Sequence, residues 1–441
     1  MKRHALERLT RWKDDPERKP LIVRGARQVG KTWLMKEFGK TAFRNVAYVN
    51  FDNNEAMRSV FEGDFNIPRL ISALQIECGC AIKPSATIII FDEIQESPRA
   101  LTSLKYFCEN APEYAVIAAG STLGVALHQG TSFPVGKVEF LDLYPMSFSE
   151  FLAATGNERL AEVLAGGDWT LVTALKSKYI ELLRQYYFIG GMPEAVQSFV
   201  RHDDFAKVRN IQVRLLDAYD HDFSKHAPAD VVPRIRMVWN SIPSQLAREN
   251  RKFLYGSLRA GARAKEFELA IQWLRDSGLV HQVERVTKPG MPLSAHASNG
   301  FKLYMLDVGL LGAKSGLDAR TLLEGSRIFS EFKGSLTEQY VQQQLRAELS
   351  ISPHYWSAER GDAEIDFLFQ NGMDVIPVEV KAAENLRAKS LAAYHAKFSP
   401  SVSVRVSMSD YRRESWLVNV PLYAIGQMRR ECEGDYTANA S

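Results

Sequence analysis

Gly25-Ala26-Arg27-Gln28-Val29-Gly30-Lys31-Thr32, reading GARQVGKT, decides how the first domain of this chain folds. The run fits the pattern G-x-x-x-x-G-K-[ST], in which successive backbone N–H groups wrap a chain of phosphates. Its glycines permit backbone angles that a Cβ forbids and let the loop approach the anion closely. A helix starting at the loop turns the positive end of its dipole toward the same anion. The flanks agree with this reading: residues 21–23 (LIV) read as a buried strand and residues 33–38 (WLMKEF) as the start of a helix. Lys31 is expected to reach the terminal phosphates and Thr32 to offer its hydroxyl to Mg²⁺. The whole run from Gly25 to Thr32 is thus a predicted ATP-binding loop.

Such a loop needs an acidic partner at the end of another buried strand. Ile88-Ile89-Ile90-Phe91-Asp92-Glu93 supplies one, with four apolar residues and then two carboxylates. Asp92 is expected to hold the magnesium shell, and Glu93 to polarise a water for attack on the γ-phosphate. Val116-Ile117-Ala118-Ala119-Gly120-Ser121 reads as a further buried strand, and it ends in a hydroxyl suited to sit beside the γ-phosphate.

From residue 1 to 155, strands expected at 21–23, 46–51, 88–91, 115–119 and 138–143 alternate with helical stretches, the pattern of a parallel sheet with crossover helices. Residues 156–233 read as a helical connector. Residues 234–325 read as helices followed by two strands, 279–286 and 301–306, around Lys288-Pro289-Gly290, which suits a winged-helix module. Residues 326–430 form another α/β stretch, and 431–441 a disordered tail. The 46% apolar content of the 441 residues supports real cores, and a net charge of +3 is too weak to imply a polyanionic partner by itself. No apolar run reaches the ~20 residues that span a bilayer. Cys78, Cys80, Cys108 and Cys432 lack metal-type spacing. These features predict a cytoplasmic protein with no membrane partner.

Any nucleic-acid argument must then rest on local charge. Arg234, Arg236, Arg248, Arg251, Lys252, Arg259, Arg263 and Lys265 crowd residues 234–265, opposed within that stretch by Glu249 alone. A helix near 264–276 carries Phe267, Ala270, Ile271 and Leu274 at core-facing spacing. Packed on that stripe, the Arg259–Lys265 turn would face solvent near a DNA backbone. The same module also serves protein contacts, with the basic residues merely keeping a face soluble.

Toward the C-terminus, Glu364-Ile365-Asp366-Phe367-Leu368-Phe369 sets Asp366 in an apolar strand. Val375-Ile376-Pro377-Val378-Glu379-Val380-Lys381 sets Glu379 and Lys381 on one face of the next, and Glu338 lies upstream in a helix at 336–345. Helix acid, strand acid and E-x-K together resemble the PD-(D/E)xK nuclease-like core. In active members such carboxylates (here Asp366 and Glu379) hold Mg²⁺, and the lysine orients the attacking water. A Lys381–Asp366 or Lys381–Glu379 salt bridge is the plainer reading of the same residues.

GARQVGKT, IIIFDEIQ (residues 88–95), AAGS (118–121) and LYPMSFSEFL (143–152) together resemble a prokaryotic family of AAA-type ATPases that carry a second, poorly characterised domain. YYFIGGMPEAV (186–196) resembles the entry to that domain, so the likeness spans nearly the whole chain. It implies an α/β chain: a P-loop NTPase parallel sheet, a helical and winged-helix middle, and a PD-(D/E)xK-like α/β C-terminal domain. It also implies a site completed at a subunit interface, hence a homo-oligomer or a protein partner. One position departs. Where the family carries an arginine this chain has Lys137, which lacks the planar fork for phosphate and puts a charge-sensing role there in question. The expected function is a Mg²⁺-dependent ATPase whose nucleotide state controls a DNA-binding, nuclease-like C-terminal half. The alternatives are a nucleotide switch for a protein partner with an inert C-terminal domain, and an ATP-gated nuclease.

Overall fold

The computed structural model describes residues 2–120, 134–248, 251–319, 329–358, 363–382 and 388–432. The chain divides into two compact units, one comprising Met1–Tyr144 with Gln272–Leu279, the other Pro145–Ile271 with Val280–Ser441.

The first unit is built on five strands: β1 (Leu21–Arg24), β2 (Asn45–Asn50), β3 (Thr87–Asp92), β4 (Ala115–Ala119) and β5 (Glu139–Asp142). They run in the order β2-β3-β4-β1-β5, and every neighbouring pair is parallel. The five expected strands are therefore present, each within two residues of its expected ends. Helices cover both faces of such a sheet, so its central strands bury both sides and read as unbroken apolar runs. Ile88, Ile89, Ile90 and Phe91 are fully buried, and Phe51, Phe61 and Phe91 meet edge to face at 5.5–5.6 Å. After β1 the chain crosses to β2 on one side, and after β4 it passes to β5 on the other. The carboxyl end of β1 is thus the switch point where α/β sheets bind their ligands.

The second unit begins with a run of helices from Phe148–Ala154 to Val232–Leu246. Its eight-stranded sheet comprises β6 (Val280–Val286), β7 (Ala297–Met305), β8 (His354–Ser357), β9 (Glu364–Asn371), β10 (Asp374–Val380), β11 (Ser403–Ser407), β12 (Arg412–Arg413) and β13 (Leu417–Pro421). The order is β12-β13-β11-β10-β9-β8-β6-β7. The expected hairpin is there as β6 and β7, but it does not stand alone. β6 pairs with β8 through Arg285↔Tyr355 and Val286↔Trp356, so strands from both expected modules, 234–325 and 326–430, share one sheet. An unpaired strand edge is a cost that a neighbouring strand removes.

Two motif segments prove to be structural staples of this unit. Met146 N donates to Gly191 O at 2.7 Å, and Tyr186 Oη donates to Met146 O at 2.5 Å. Asp307, fully buried, accepts from Gly191 N at 2.6 Å and from Gln343 at 3.0 Å. A Cβ at Gly190 would strike the Asp307 carboxylate, and one at Gly191 would strike Met146 O. LYPMSF and YYFIGG are therefore bound to each other by backbone chemistry that only glycine permits.

Candidate nucleotide site and terminal acid cluster

The loop between β1 and the helix Lys31–Ala42 takes the shape its glycines allow. Gly25 has φ +144° and Gly30 φ +98°, and Gln28 also adopts a left-handed φ of +65°. A Cβ at Gly25 would collide with Leu143 O, so the loop begins pressed against the Leu143–Tyr144 backbone. Gly278 lies on the loop from another side: a Cβ there would stand 3.0 Å from Ala26 N.

Lys31 is buried and its ammonium donates to the loop's own carbonyls, Gly25 O at 2.7 Å and Ala26 O at 2.8 Å. Burial drives its pKa down to about 8, with Arg27 acting in the same direction against the upward pull of Glu93 and Asp92. Thr32 Oγ1 donates to Asp92 Oδ2 at 2.8 Å. The acid closing β3 therefore meets the hydroxyl opening the helix. Asp92 is 3% exposed and has another partner, Tyr48 Oη on β2, which donates to Oδ2 at 2.9 Å. Burial and then the Asp92 charge push the Tyr48 phenol upward, so it stays protonated and remains a donor. No motif marks Tyr48; its contact depends on the parallel register that sets Asn50 beside Asp92.

Glu93 leaves the strand in a left-handed conformation, φ +49°, a strain that non-glycine residues carry mainly at functional sites. Gln95 Nε2 donates to Glu93 Oε2 at 2.7 Å and orients it. Ser121 lies outside the described residues. Lys137 sits before β5, which aligns Leu21 with Glu139 and Arg24 with Asp142. That is the amino edge of the sheet, opposite the phosphate loop, and there Lys137 pairs with Glu109 at 2.9 Å.

The loop fits a magnesium nucleotide: a glycine cradle without room for a Cβ, a buried ammonium, and a hydroxyl already bonded to a strand-end carboxylate. A Mg²⁺ ion that takes most of its ligands from phosphate and water needs only such a small protein contribution. Among the described residues no cluster of three or more His, Cys, Asp or Glu is placed to hold a metal unaided.

The terminal acids lie together but are engaged with one another and with cations. Glu338 is ion-paired to Arg251, accepts from Tyr304 Oη at 2.9 Å and lies 3.7 Å from Lys302 Nζ. Lys302 is wholly buried and meets Glu364 at 2.6 Å. Burial alone would raise the Glu338 pKa, but Arg251 and Lys302 hold it well below the carboxylate range. Burial and the Glu338 charge push Asp366 well above that range, disfavouring its charged form. The group then closes neutral, with Arg251 and Lys302 against Glu338 and Glu364. The β9–β10 register pairs Phe367 with Val378, the neighbours of Asp366 and Glu379, and Asp366 Oδ2 accepts from Val380 N at 2.7 Å. Glu379 Oε1 takes Lys381 Nζ at 2.7 Å, the plainer of the two readings of E-x-K. Among the described residues Glu379 Oε2 is buried with no hydrogen-bond partner. Among the described residues the acids here, engaged by Arg251, Lys302 and Lys381, form no group of three or more placed to hold a metal, a poor fit to Mg²⁺, which demands a near-octahedral set of oxygens.

The basic middle stretch is likewise balanced by acids distant in sequence or just beyond its end. Arg236 pairs with Asp220 at 2.8 Å, Arg259 with Glu266 at 2.5 Å, and Arg251 with Glu338. The helix Ala264–Asp276 carries Glu266, Glu268 and Asp276 against Lys265 and Arg275, a poor match to a DNA groove.

Residues 17–152 match a family model described as an AAA domain. Residues 180–321 match a Domain of unknown function (DUF8612), and 333–425 a Domain of unknown function (DUF4143). A Walker-type ATPase of Pyrococcus abyssi is similar at 14% identity and TM-score 0.44, covering 71% of this chain and 95% of that one. The Orc1 protein of Aeropyrum pernix, solved in complex with DNA, has 15% identity, coverage of 72% and 93%, and TM-score 0.27. Cdc6p of Pyrobaculum aerophilum has 10% identity, coverage of 73% and 93%, and TM-score 0.24. No curated protein matches the sequence. The AAA match takes in the phosphate loop and the acidic pair, on a parallel five-stranded sheet of P-loop NTPase type. No helix among the described residues is long and apolar enough to cross a membrane.

Proposed function

We propose that the protein is a Mg²⁺-dependent ATPase that works as a nucleotide switch, with a C-terminal half that is a catalytically silent scaffold presented to a protein partner. The carrying observation is the 2.8 Å bond between Thr32 and Asp92, which joins the two halves of a hydrolysis site beside Lys31. In this reading residues 25–32 cradle the phosphates and Lys31 leaves the loop carbonyls for the terminal phosphates. Thr32 and Asp92 hold Mg²⁺, which when bound neutralises phosphate charge. Glu93, oriented by Gln95, positions and deprotonates the attacking water. The silent reading of the terminal cluster is supported by its neutral closure around Lys302 and by the Glu379–Lys381 pair.

Transmission out of the ATPase has a covalent route. Gln272–Leu279 packs as part of the first unit, with Gly278 on Ala26, and the next residue, Val280, opens β6. A second reading, that the C-terminal half binds DNA, is favoured by Arg248, Arg263 and Lys265, which stay exposed.

The test is ATP turnover together with cleavage and binding of labelled single- and double-stranded DNA and RNA, with and without ATP, in Mg²⁺ or Mn²⁺. Turnover with no cleavage is expected. Lys31→Ala should abolish nucleotide affinity, and Glu93→Gln should bind ATP while losing about 10²–10⁴ in kcat. Cleavage that disappears in Asp366→Ala would overturn the silent scaffold. Salt-sensitive DNA binding that is lost on reversing Arg263 and Lys265 would move the assignment to the second reading.

A further inference from the structure

The phosphate loop is braced by a residue outside both its motif and the matched AAA stretch. Arg3 is only 6% exposed. Its guanidinium donates to Val29 O at 3.1 Å and to Tyr144 O at 2.6 Å. Val29 is the loop residue immediately before Gly30 and Lys31, and its side chain is fully buried. Tyr144 follows Leu143, the residue whose carbonyl excludes a Cβ at Gly25. Leu143 N in turn donates to Arg24 O at 2.8 Å, fixing this ledge to the end of β1. The two ends of the phosphate loop are therefore seated on the same pair of residues, the first by direct contact and the last through Arg3.

The mount beneath Arg3 is firm. Helix Ala5–Asp14 begins two residues later and is held by Leu9 and Trp12, both buried. Trp12 packs on Phe38 with ring centroids 6.4 Å apart, and Lys13 Nζ caps Ala42 O at 2.7 Å. Phe38 and Ala42 belong to the helix that leaves the phosphate loop. The N-terminal helix thus grips that helix over its last two turns while Arg3 holds the loop at its start. A planar guanidinium can bridge two carbonyls in fixed directions, whereas an ammonium is a point donor on a flexible stem.

We propose that Arg3 is a positioning residue for nucleotide binding: it sets the backbone of Val29 and Gly30, and so the phosphate-facing N–H groups and the start of the Lys31 helix. Arg3 does not touch the nucleotide. The proposal rests on the ATPase reading above, and its test keeps the two apart by using a binding probe that needs no turnover.

The full chain is titrated with the fluorescent analogue mant-ADP as wild type, Arg3→Met, Arg3→Lys and Lys31→Ala. Arg3→Met should weaken binding about tenfold, and Arg3→Lys should recover part of that loss. In ATP hydrolysis KM should rise by a similar factor with kcat within about twofold, because a misplaced loop loses ground-state and transition-state contacts alike. Folded Arg3→Met that binds mant-ADP like wild type, while Lys31→Ala does not, overturns the role of Arg3 alone. Wild-type affinity in Lys31→Ala overturns the nucleotide reading itself. Should Arg3→Met fail to fold, Arg3→Lys decides: undiminished affinity overturns the proposal, and a severalfold loss with an unchanged melting temperature supports it.

Discussion

Asp92 accepts two hydroxyls on a single carboxylate oxygen, Thr32 Oγ1 at 2.8 Å and Tyr48 Oη at 2.9 Å. The first closes 60 residues of chain between loop and acid; the second comes from the neighbouring strand and fixes the rotamer of the carboxylate. Groups that orient a metal-holding acid commonly change affinity for the metal by about 10–100-fold when removed. Tyr48→Phe should therefore raise the Mg²⁺ concentration for half-maximal ATP turnover by about tenfold while leaving turnover at saturating Mg²⁺ within a factor of about three. An unchanged Mg²⁺ titration would show that Tyr48 only fills space.

Gly278 should be intolerant of a side chain. Its φ of +73° is left-handed, and a Cβ would press on Ala26 N, whose own carbonyl holds Lys31. Gly278→Ala is expected to cost about 1 kcal/mol in stability. It should also raise the KM for ATP by about three- to tenfold, the loop being displaced with it. Thermal unfolding and steady-state kinetics on the same preparation check this. A stability loss with an unaltered KM would confine Gly278 to a turn-forming role.

Lys302 should be needed for folding and not for ATP turnover. Removing one partner of a buried ionic group typically costs about 3–5 kcal/mol because the rest is left uncompensated. Lys302→Met leaves Glu338 and Glu364 facing Arg251 alone, so denaturant unfolding should shift by roughly that amount, with wild-type ATPase kinetics below the transition. An undiminished midpoint would contradict the neutral cluster.

His281 predicts acid sensitivity. Desolvation, and then Arg346, lower its pKa from 6.5 to about 3. Its folded-state value lies below its unfolded one, so between those limits the unfolded chain binds the extra proton. The stabilising contribution is full above pH 6.5 and is lost as pH falls toward 3. Relative to His281→Gln, the wild type should lose on the order of 1 kcal/mol between pH 7 and pH 5, a fall screened by partial exposure. Parallel unfolding curves at the two pH values, giving no difference, would place His281 outside this linkage.

How far the site was legible depends on the range of the interactions involved. The loop, the helix after it and the strand ending in Asp92 and Glu93 follow from patterns within a few residues: glycine where φ is positive, unbroken apolar runs where a parallel strand is buried on both faces. Motif spacing assigns Thr32 and Asp92 separately to Mg²⁺; their direct bond is a product of the fold. Tyr48 and Arg3 carry no local signal, since their partners lie 44 and up to 141 residues away. The place of Lys137 is a matter of which end of β5 it occupies, and only the β1–β5 register puts it at the edge away from the loop.

The C-terminal half divides in the same way. The amino-acid order alone places Asp366 and Glu379 on successive strands, with Lys381 just past the second and Glu338 in an upstream helix, because these periodicities are local properties. It also determined that residues 234–265 are rich in cations. What those charges do depends on contacts made across the fold. Arg251 crosses 87 residues to Glu338, Lys302 enters from β7 to meet Glu364, and Arg236 turns back to Asp220. A charge in a low-dielectric interior is set by its spatial neighbours rather than its chain neighbours. Composition therefore counts the cations, and folding decides which of them remain to meet a partner.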